Sequence, residues 1–248
     1  NLALEEQLRG QGVRTVHFVS PSIWAWRGER IKQIARAVDR MLLVFPFEQK
    51  IYDDAGIPAS YVGHPLASMI PMIPDSLAAR QRLGVQTDGS LIAVLPGSRA
   101  GEVHHIGPIF IAAMAQLVTE QPSIRFVLPV TDPGLRADIE RMMAAYSNLS
   151  AHVNIVNGRS HDCLEAADVV LVASGTATLE AALFKRPMVI SYKMPQVSAW
   201  IMRRKGSIPY IGLPNILAGE FVVPELVQEL ATPAALARAV LDWLHDPT

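Results

Sequence analysis

The stretch Leu91-Ile92-Ala93-Val94-Leu95-Pro96-Gly97-Ser98-Arg99-Ala100-Gly101-Glu102-Val103 decides the fold. Its apolar run reads as a buried strand, and a helical pattern starts near Glu102, so Pro96 to Arg99 form a strand-to-helix turn. A second turn of the same kind follows. Val169-Val170-Leu171-Val172-Ala173 leads into Ser174-Gly175-Thr176-Ala177-Thr178 and then into helix through Glu180. In open α/β sheets ligands gather at the carboxyl ends of the strands, where the next helix offers free amide donors and a positive dipole to an anion.

Outward from these two turns, short runs rich in β-branched residues alternate with longer segments of helical period, the mark of strand-helix-strand units on a parallel sheet. The class is α/β. Strands are expected at Val13–Val19, Met41–Phe45, Ser60–Val62, Leu91–Leu95, Ile124–Val130, Val153–Val156, Val169–Ala173 and Met188–Tyr192. Helices are expected between most of them, among others over Val103–Glu120, Leu135–Tyr146 and Thr176–Phe184, with another at Pro233–His245. Pro65, Pro71 and Pro74 interrupt helical spacing and mark a junction. Residues 1–63 are therefore read as part of one domain, 64–75 as a linker and 76–248 as a second domain. The second holds five strand candidates in Leu91–Tyr192, enough for a doubly wound unit. The first has three and resembles the later half of such a unit.

The 248 residues include 22 basic and 23 acidic side chains, a net charge of -1 that lacks the positive field needed for nonspecific nucleic-acid binding. Cys163 is the one cysteine, so neither an intramolecular disulfide nor a multi-thiolate metal site is expected, in keeping with a reducing cytoplasm. Apolar runs such as 41–46 and 169–173 are too short to cross a bilayer. The chain opens on Asn1 without a basic leader, and anything that precedes Asn1 in a parent protein is treated as missing.

Arg99 brings a planar guanidinium that stays charged and can bind phosphate oxygens in a bidentate manner, against the plainer reading of a solvated arginine beside a glycine turn. Gly97 and Ser98 belong to the same turn. Ser174, Gly175 and Thr176 are placed to surround a pyrophosphate with amides and hydroxyls, and Glu180, one turn beyond Thr176, to accept the hydroxyls of a ribose. Helix capping and a first-turn dipole partner are the bland alternatives. Neither turn matches the dinucleotide fingerprint or the phosphate loop of ATP-hydrolysing enzymes.

His64, at the junction, reads equally as a donor to the leaving pyrophosphate or acceptor and as a hinge residue. Asn215 sits in an apolar loop, where its amide offers a donor and an acceptor to sugar or phosphate, although taken alone it reads as a turn residue. Glu102 orients Arg99 or serves the helix dipole, the latter being more economical. Trp24, Trp26 and Arg27 read first as interface packing, and Trp200–Lys205 first as a solvated helix end rather than a lipid contact. The neighbouring His104 and His105 diverge on a helix and have no third ligand at a metal-site spacing.

Several strings together resemble the lipid-A-disaccharide synthase family, two-domain glycosyltransferases of the GT-B type. They are residues 19–27 (Val-Ser-Pro-Ser-Ile-Trp-Ala-Trp-Arg), 62–65 (Val-Gly-His-Pro), 95–99 with Glu102, 173–180, and 213–219 (Leu-Pro-Asn-Ile-Leu-Ala-Gly). The first and last are the specific ones. The resemblance implies two Rossmann-like domains, the amino-terminal one incomplete in this chain. It implies inverting transfer of 2,3-diacylglucosamine from its UDP derivative to 2,3-diacylglucosamine 1-phosphate, giving the disaccharide phosphate and UDP. It further implies no cofactor or metal, a cytoplasmic enzyme peripheral on the inner membrane through its amino-terminal part, and admits a homodimer. Arg99 and Asn215 match family positions important for activity, and Glu180 the ribose-binding acid. The general-base aspartate of the family is expected upstream of Asn1, so this chain by itself is expected to be inactive. Other UDP-sugar enzymes of the same fold remain as alternatives, a UDP-N-acetylglucosamine 2-epimerase or a muropeptide glycosyltransferase, as does a noncatalytic UDP-binding module.

Overall fold

A computed structural model describes residues 1–25, 28–195 and 209–246. Within them the chain forms two compact units, one running from Asn1 to Met69 and the other beginning at Ile70. That division lies inside the proline-containing stretch 64–75. Trp26, Arg27 and the segment Trp200–Lys205 lie outside the described residues.

The first unit pairs β1 (Val16–Phe18), β2 (Arg40–Leu43) and β3 (Ala59–Tyr61) in that order, all parallel. Strand β1 is shorter than the apolar run suggests. Val19 takes φ 72°, a left-handed conformation hostile to a β-branched side chain, and so ends the extended segment. Helices α1 (Leu2–Gly10), α2 (Ile31–Ala37) and α3 (Glu48–Asp54) cover the sheet, and Ile34, Met41, Leu43 and Tyr52 are fully buried. Trp24 packs edge-on against Phe47 within this unit, with centroids 5.3 Å apart. Glu48 is 1% exposed, and its carboxylate accepts the Phe45 N–H at 3.1 Å. Burial pushes its pKa up, because removal from water penalises the charged form more than the hydrogen bonds favour it.

The second unit is built on six parallel strands. β4 (Leu91–Leu95), β5 (Arg125–Pro129), β6 (Val153–Val156), β7 (Val169–Ala173), β8 (Met188–Tyr192) and β9 (Glu225–Val227) stand in the order β6-β5-β4-β7-β8-β9. Counted from β4, that is the 3-2-1-4-5-6 order of a doubly wound fold. Strands β4 and β7 are buried at every residue, so both faces are covered and no polar alternation appears in their sequences. Strand β9 is an addition to the expected set. It has only three half-buried residues, Glu-Leu-Val, too short and too mixed to stand out by pattern.

On one side of the sheet lie α6 (Ala100–Glu120), α7 (Pro133–Met143) and the helix Pro233–His245, with Phe110, Met114, Leu117, Leu236 and Val240 in the shared core. Asp132 starts α7 earlier than the apolar spacing indicates. Its carboxylate accepts the Leu135 N–H at 2.9 Å, and Pro133 fills the first turn, where a missing N–H costs nothing. The remaining helices include α4 (Leu66–Met69) in the first unit, and α5 (Ser76–Leu83), α8 (Ser160–Ala166) and α9 (Ala177–Leu183) in the second.

Arg80, on α5, ties the starts of the central strands together. Its guanidinium donates to the carbonyls of Ala166, Thr87 and Gly89 and to Asp168 Oδ2, the last at 2.8 Å. The same Asp168 oxygen accepts the Leu91 N–H at 2.8 Å. Truncation leaves three carbonyls and a carboxylate without this donor. Arg80→Ala is expected to destabilise the fold by about 2–4 kcal/mol, read as a lower urea midpoint. For Glu48 the sign is the reverse. An acid whose folded pKa is raised binds its proton more tightly when folded, so its contribution is fully present below the unfolded carboxylate range and is lost as pH rises toward the folded pKa. Glu48→Gln is therefore expected to be more stable than the wild type at pH 7 and to lose that advantage near pH 4, as followed by urea titration at both values.

Candidate functional site

The register Leu95↔Val172 brings the ends of β4 and β7 level, so that the turns following them are neighbours. Together they line one cavity of about 470 Å³. Leu95, Gly97, Ser98, Arg99 and Glu102 come from the first turn, and Ala173 to Ala177 with Glu180 from the second. This is the point where the strand order reverses direction, and it lies at the carboxyl ends.

In the first turn Gly97 has φ 111°, and a Cβ there would stand 2.7 Å from Glu102 Oε2, so no side chain fits. Arg99 precedes α6, and its side chain is 81% exposed. It pairs through Nη1 with Glu102 Oε1 at 2.8 Å, a surface pair rather than a sealed internal one, so the charge remains available to a ligand. Glu102 also reaches back, accepting the Ser98 N–H through Oε2 at 3.2 Å. Tyr192, at the end of β8, senses this pair: burial raises its pKa, the Glu102 charge raises it further, and Arg99 opposes.

In the second turn the donors divide unequally. Ser174 gives its N–H to the Ser191 carbonyl at 3.0 Å and its hydroxyl hydrogen to the Ile211 carbonyl at 2.9 Å. With its N–H and hydroxyl hydrogen both engaged, it shapes the turn rather than donating to an anion. Among the described residues, the N–H groups of Gly175 and Thr176 have no acceptor within the chain. Those two are the amides that a phosphate can take. Glu180 lies in the cavity wall with its side chain 19% exposed, and His161 Nε2 is 3.4 Å from its Oε2.

Asn215 is placed differently from its expected role. It is fully buried, and its amide nitrogen donates to the Val223 carbonyl and to Glu225 Oε1, while its oxygen accepts the N–H groups of Val222 and Val223, at 2.8–3.0 Å. All four positions of the amide are satisfied, which leaves no vacancy for sugar or phosphate. Glu225 in turn accepts the N–H groups of Ile211 and Gly212 at 2.9 Å each. The Leu-Pro-Asn-Ile-Leu-Ala-Gly string is thus a clasp that ties the helix Leu213–Ala218 to β9. His64 belongs to the first unit, where Nδ1 accepts the Leu66 N–H at 3.2 Å and the ring lies 5.7 Å from that of Phe45.

Further cavity residues went unnoticed in the sequence. Pro129 ends β5, Val130 and Thr131 follow it, and Gly158 and Ser160 follow β6. Each lies at or just beyond the end of a parallel strand, so the rule that ligands gather at carboxyl ends already pointed to them; no string of small residues did. The Cys163 thiol is buried, which pushes its pKa up to about 12 and leaves it unreactive. Among the described residues, no group of three or more His, Cys, Asp or Glu side chains is gathered to hold a metal ion, and no helix is long and apolar enough to cross a membrane.

Comparison with known proteins places the chain among relatives. The family model for lipid-A-disaccharide synthetase matches residues 1–247. The lipid-A-disaccharide synthase of Paraburkholderia phytofirmans is 56% identical over 248 residues, covering 100% of this chain and 63% of the relative. That of Cupriavidus pinatubonensis is 58% identical over 246 residues, covering 99% and 61%. The chain therefore spans about three fifths of the length of these curated relatives. Among solved structures, the UDP-GlcNAc 2-epimerase of Neisseria meningitidis superposes with a TM-score of 0.63 at 12% identity, covering 99% of this chain and 66% of that one. The sucrose-phosphate synthase of Thermosynechococcus elongatus gives 0.60 at 18%, covering 99% and 62%. Likeness at such low identity speaks to the fold alone, a parallel-sheet α/β fold shared with GT-B glycosyltransferases.

A pair of substitutions separates clasp from cavity. Asn215→Ala removes a fully buried amide and leaves two N–H groups, a carbonyl and a carboxylate short of its bonds, so a loss of about 2–4 kcal/mol is expected in urea unfolding. The exposed Arg99→Ala is expected to stay within about 0.5 kcal/mol of wild type in the same measurement.

Proposed function

The chain belongs to the lipid-A-disaccharide synthase family, and from that premise we propose that it is the nucleotide-sugar-binding part of an inverting glycosyltransferase of lipid A assembly. In this reading the cavity holds the UDP of UDP-2,3-diacylglucosamine, and the sugar passes to 2,3-diacylglucosamine 1-phosphate. The single observation that carries it is the convergence of the two turns on one cavity, with an exposed guanidinium on one side and two unengaged amides on the other.

The chemistry follows from charge. As the bond between the anomeric carbon and the diphosphate oxygen breaks, negative charge builds on the leaving UDP. Arg99 with the Gly175 and Thr176 amides is arranged to neutralise it, and preorganised donors of this kind lower the barrier without reorganising at the moment of reaction. Glu180 takes the ribose hydroxyls, with its carboxylate steadied by His161. Ser174 and Asn215 act indirectly, the first by fixing the turn and the second by fixing the loop that receives the Ser174 hydroxyl. The base that deprotonates the acceptor hydroxyl is assigned to the aspartate expected upstream of Asn1. The reading needs no cofactor beyond the sugar nucleotide, and it assigns the acceptor, the cytoplasmic membrane face and any dimer contact to the full-length protein.

Calorimetric titration of this chain with UDP tests the site. Binding is expected, and none at millimolar UDP in a folded sample refutes it. In the full-length protein Arg99→Ala is expected to slow transfer by about 2–4 kcal/mol of transition-state stabilisation, measured as kcat/KM for the diacylated donor. A rate close to wild type removes Arg99 from the chemistry. Turnover of UDP-N-acetylglucosamine to its 2-epimer by the same protein favours the epimerase reading instead.

A further inference from the structure

The position of the Glu102 carboxylate is unusual for a pocket that receives a diphosphate. It lines the cavity, with its side chain 17% exposed, and both of its oxygens are bound to the donors of the first turn. Oε1 accepts from Arg99 at 2.8 Å, and Oε2 accepts the Ser98 N–H at 3.2 Å while standing 2.7 Å from where a Cβ of residue 97 would be. A carboxylate that only complements the dipole of α6 has no need of these contacts, since proximity to the first turn suffices. Here a negative group takes an amide and a guanidinium together, the same pair of donors that a phosphate oxygen would take. Gly97 makes this arrangement sterically open.

We propose that Glu102 is a resident anion of the donor pocket: its carboxylate holds the Ser98 amide and the Arg99 guanidinium until a diphosphate displaces it, and so limits how tightly the nucleotide product is held. The inference rests on the reading of this cavity as the UDP site. When the diphosphate arrives, Glu102 releases the two donors and swings aside. When transfer is complete, its return competes with UDP for them. Repulsion between the carboxylate and the diphosphate adds to the competition, and both effects weaken as salt screens charge. Without the resident anion the pocket would release its product more slowly.

The test is UDP binding by this chain, wild type against Glu102→Gln and Glu102→Ala, with uridine as the phosphate-free control. Removal of the charge is expected to tighten UDP binding roughly threefold to tenfold, the scale of a partly exposed ion pair, with a matching fall in dissociation rate and no change for uridine. The gain should shrink between 50 mM and 500 mM salt. Equal or weaker UDP binding in both variants, with uridine unchanged, overturns the proposal and makes Glu102 a support of the loop. A wild-type chain that binds neither UDP nor uridine fails the donor-site reading itself, whereas one that binds UDP without any gain in the variants sinks only this inference.

Discussion

The parallel pairing of β4 with β7 is the constraint on which the rest of the second unit depends. Four residue pairs, from Ile92↔Val169 to Leu95↔Val172, set the two strands level at their carboxyl ends. A shift by one residue would turn each side chain to the opposite face and carry one turn away from the other. At the amino ends, Arg80 and Asp168 join the first residue of β4 to the segment that enters β7. The mouth of the site is therefore positioned from both ends of the same strand pair, although its residues lie some eighty positions apart in sequence.

What this frame presents at its mouth is a balance of charge rather than a simple positive pocket. Arg99 is exposed, yet it is already paired. A glycine stands beside it because the Glu102 carboxylate passes close to Gly97. Similar logic governs Glu180, whose partner His161 comes from the helix after β6 and was not legible as a pair. The geometry gives each acidic group of the cavity a neighbouring side chain that can donate to it.

Asn215 shows how a chemically suggestive residue becomes structural. An amide between a proline and an isoleucine reads locally as a turn residue, and the family resemblance is what suggests a ligand contact. Burial supplies the use. Its side chain is fully buried, so both ends of the amide need partners, and the Val222 and Val223 N–H groups, the Val223 carbonyl and Glu225 supply them. The neighbouring loop in turn receives the hydroxyl of Ser174 at Ile211.

By itself the sequence determined the class, the central strands and both turns, because unbroken apolar runs ending in small residues have few other physical uses. It also determined the family, through strings long enough to be specific. Element ends were less legible: Val19 in a left-handed conformation, Asp132 capping α7 and the short β9 each depend on a backbone angle or a neighbour that no local pattern carries. Only the tertiary structure decided which donors are vacant. Ser174, Gly175 and Thr176 look alike in sequence, but hydrogen bonding is a matter of partners, and those of Ser174 arrive from residues 191 and 211. The same holds for Glu102 and Asn215, since whether a polar group faces a ligand or the protein is settled by what the fold packs against it.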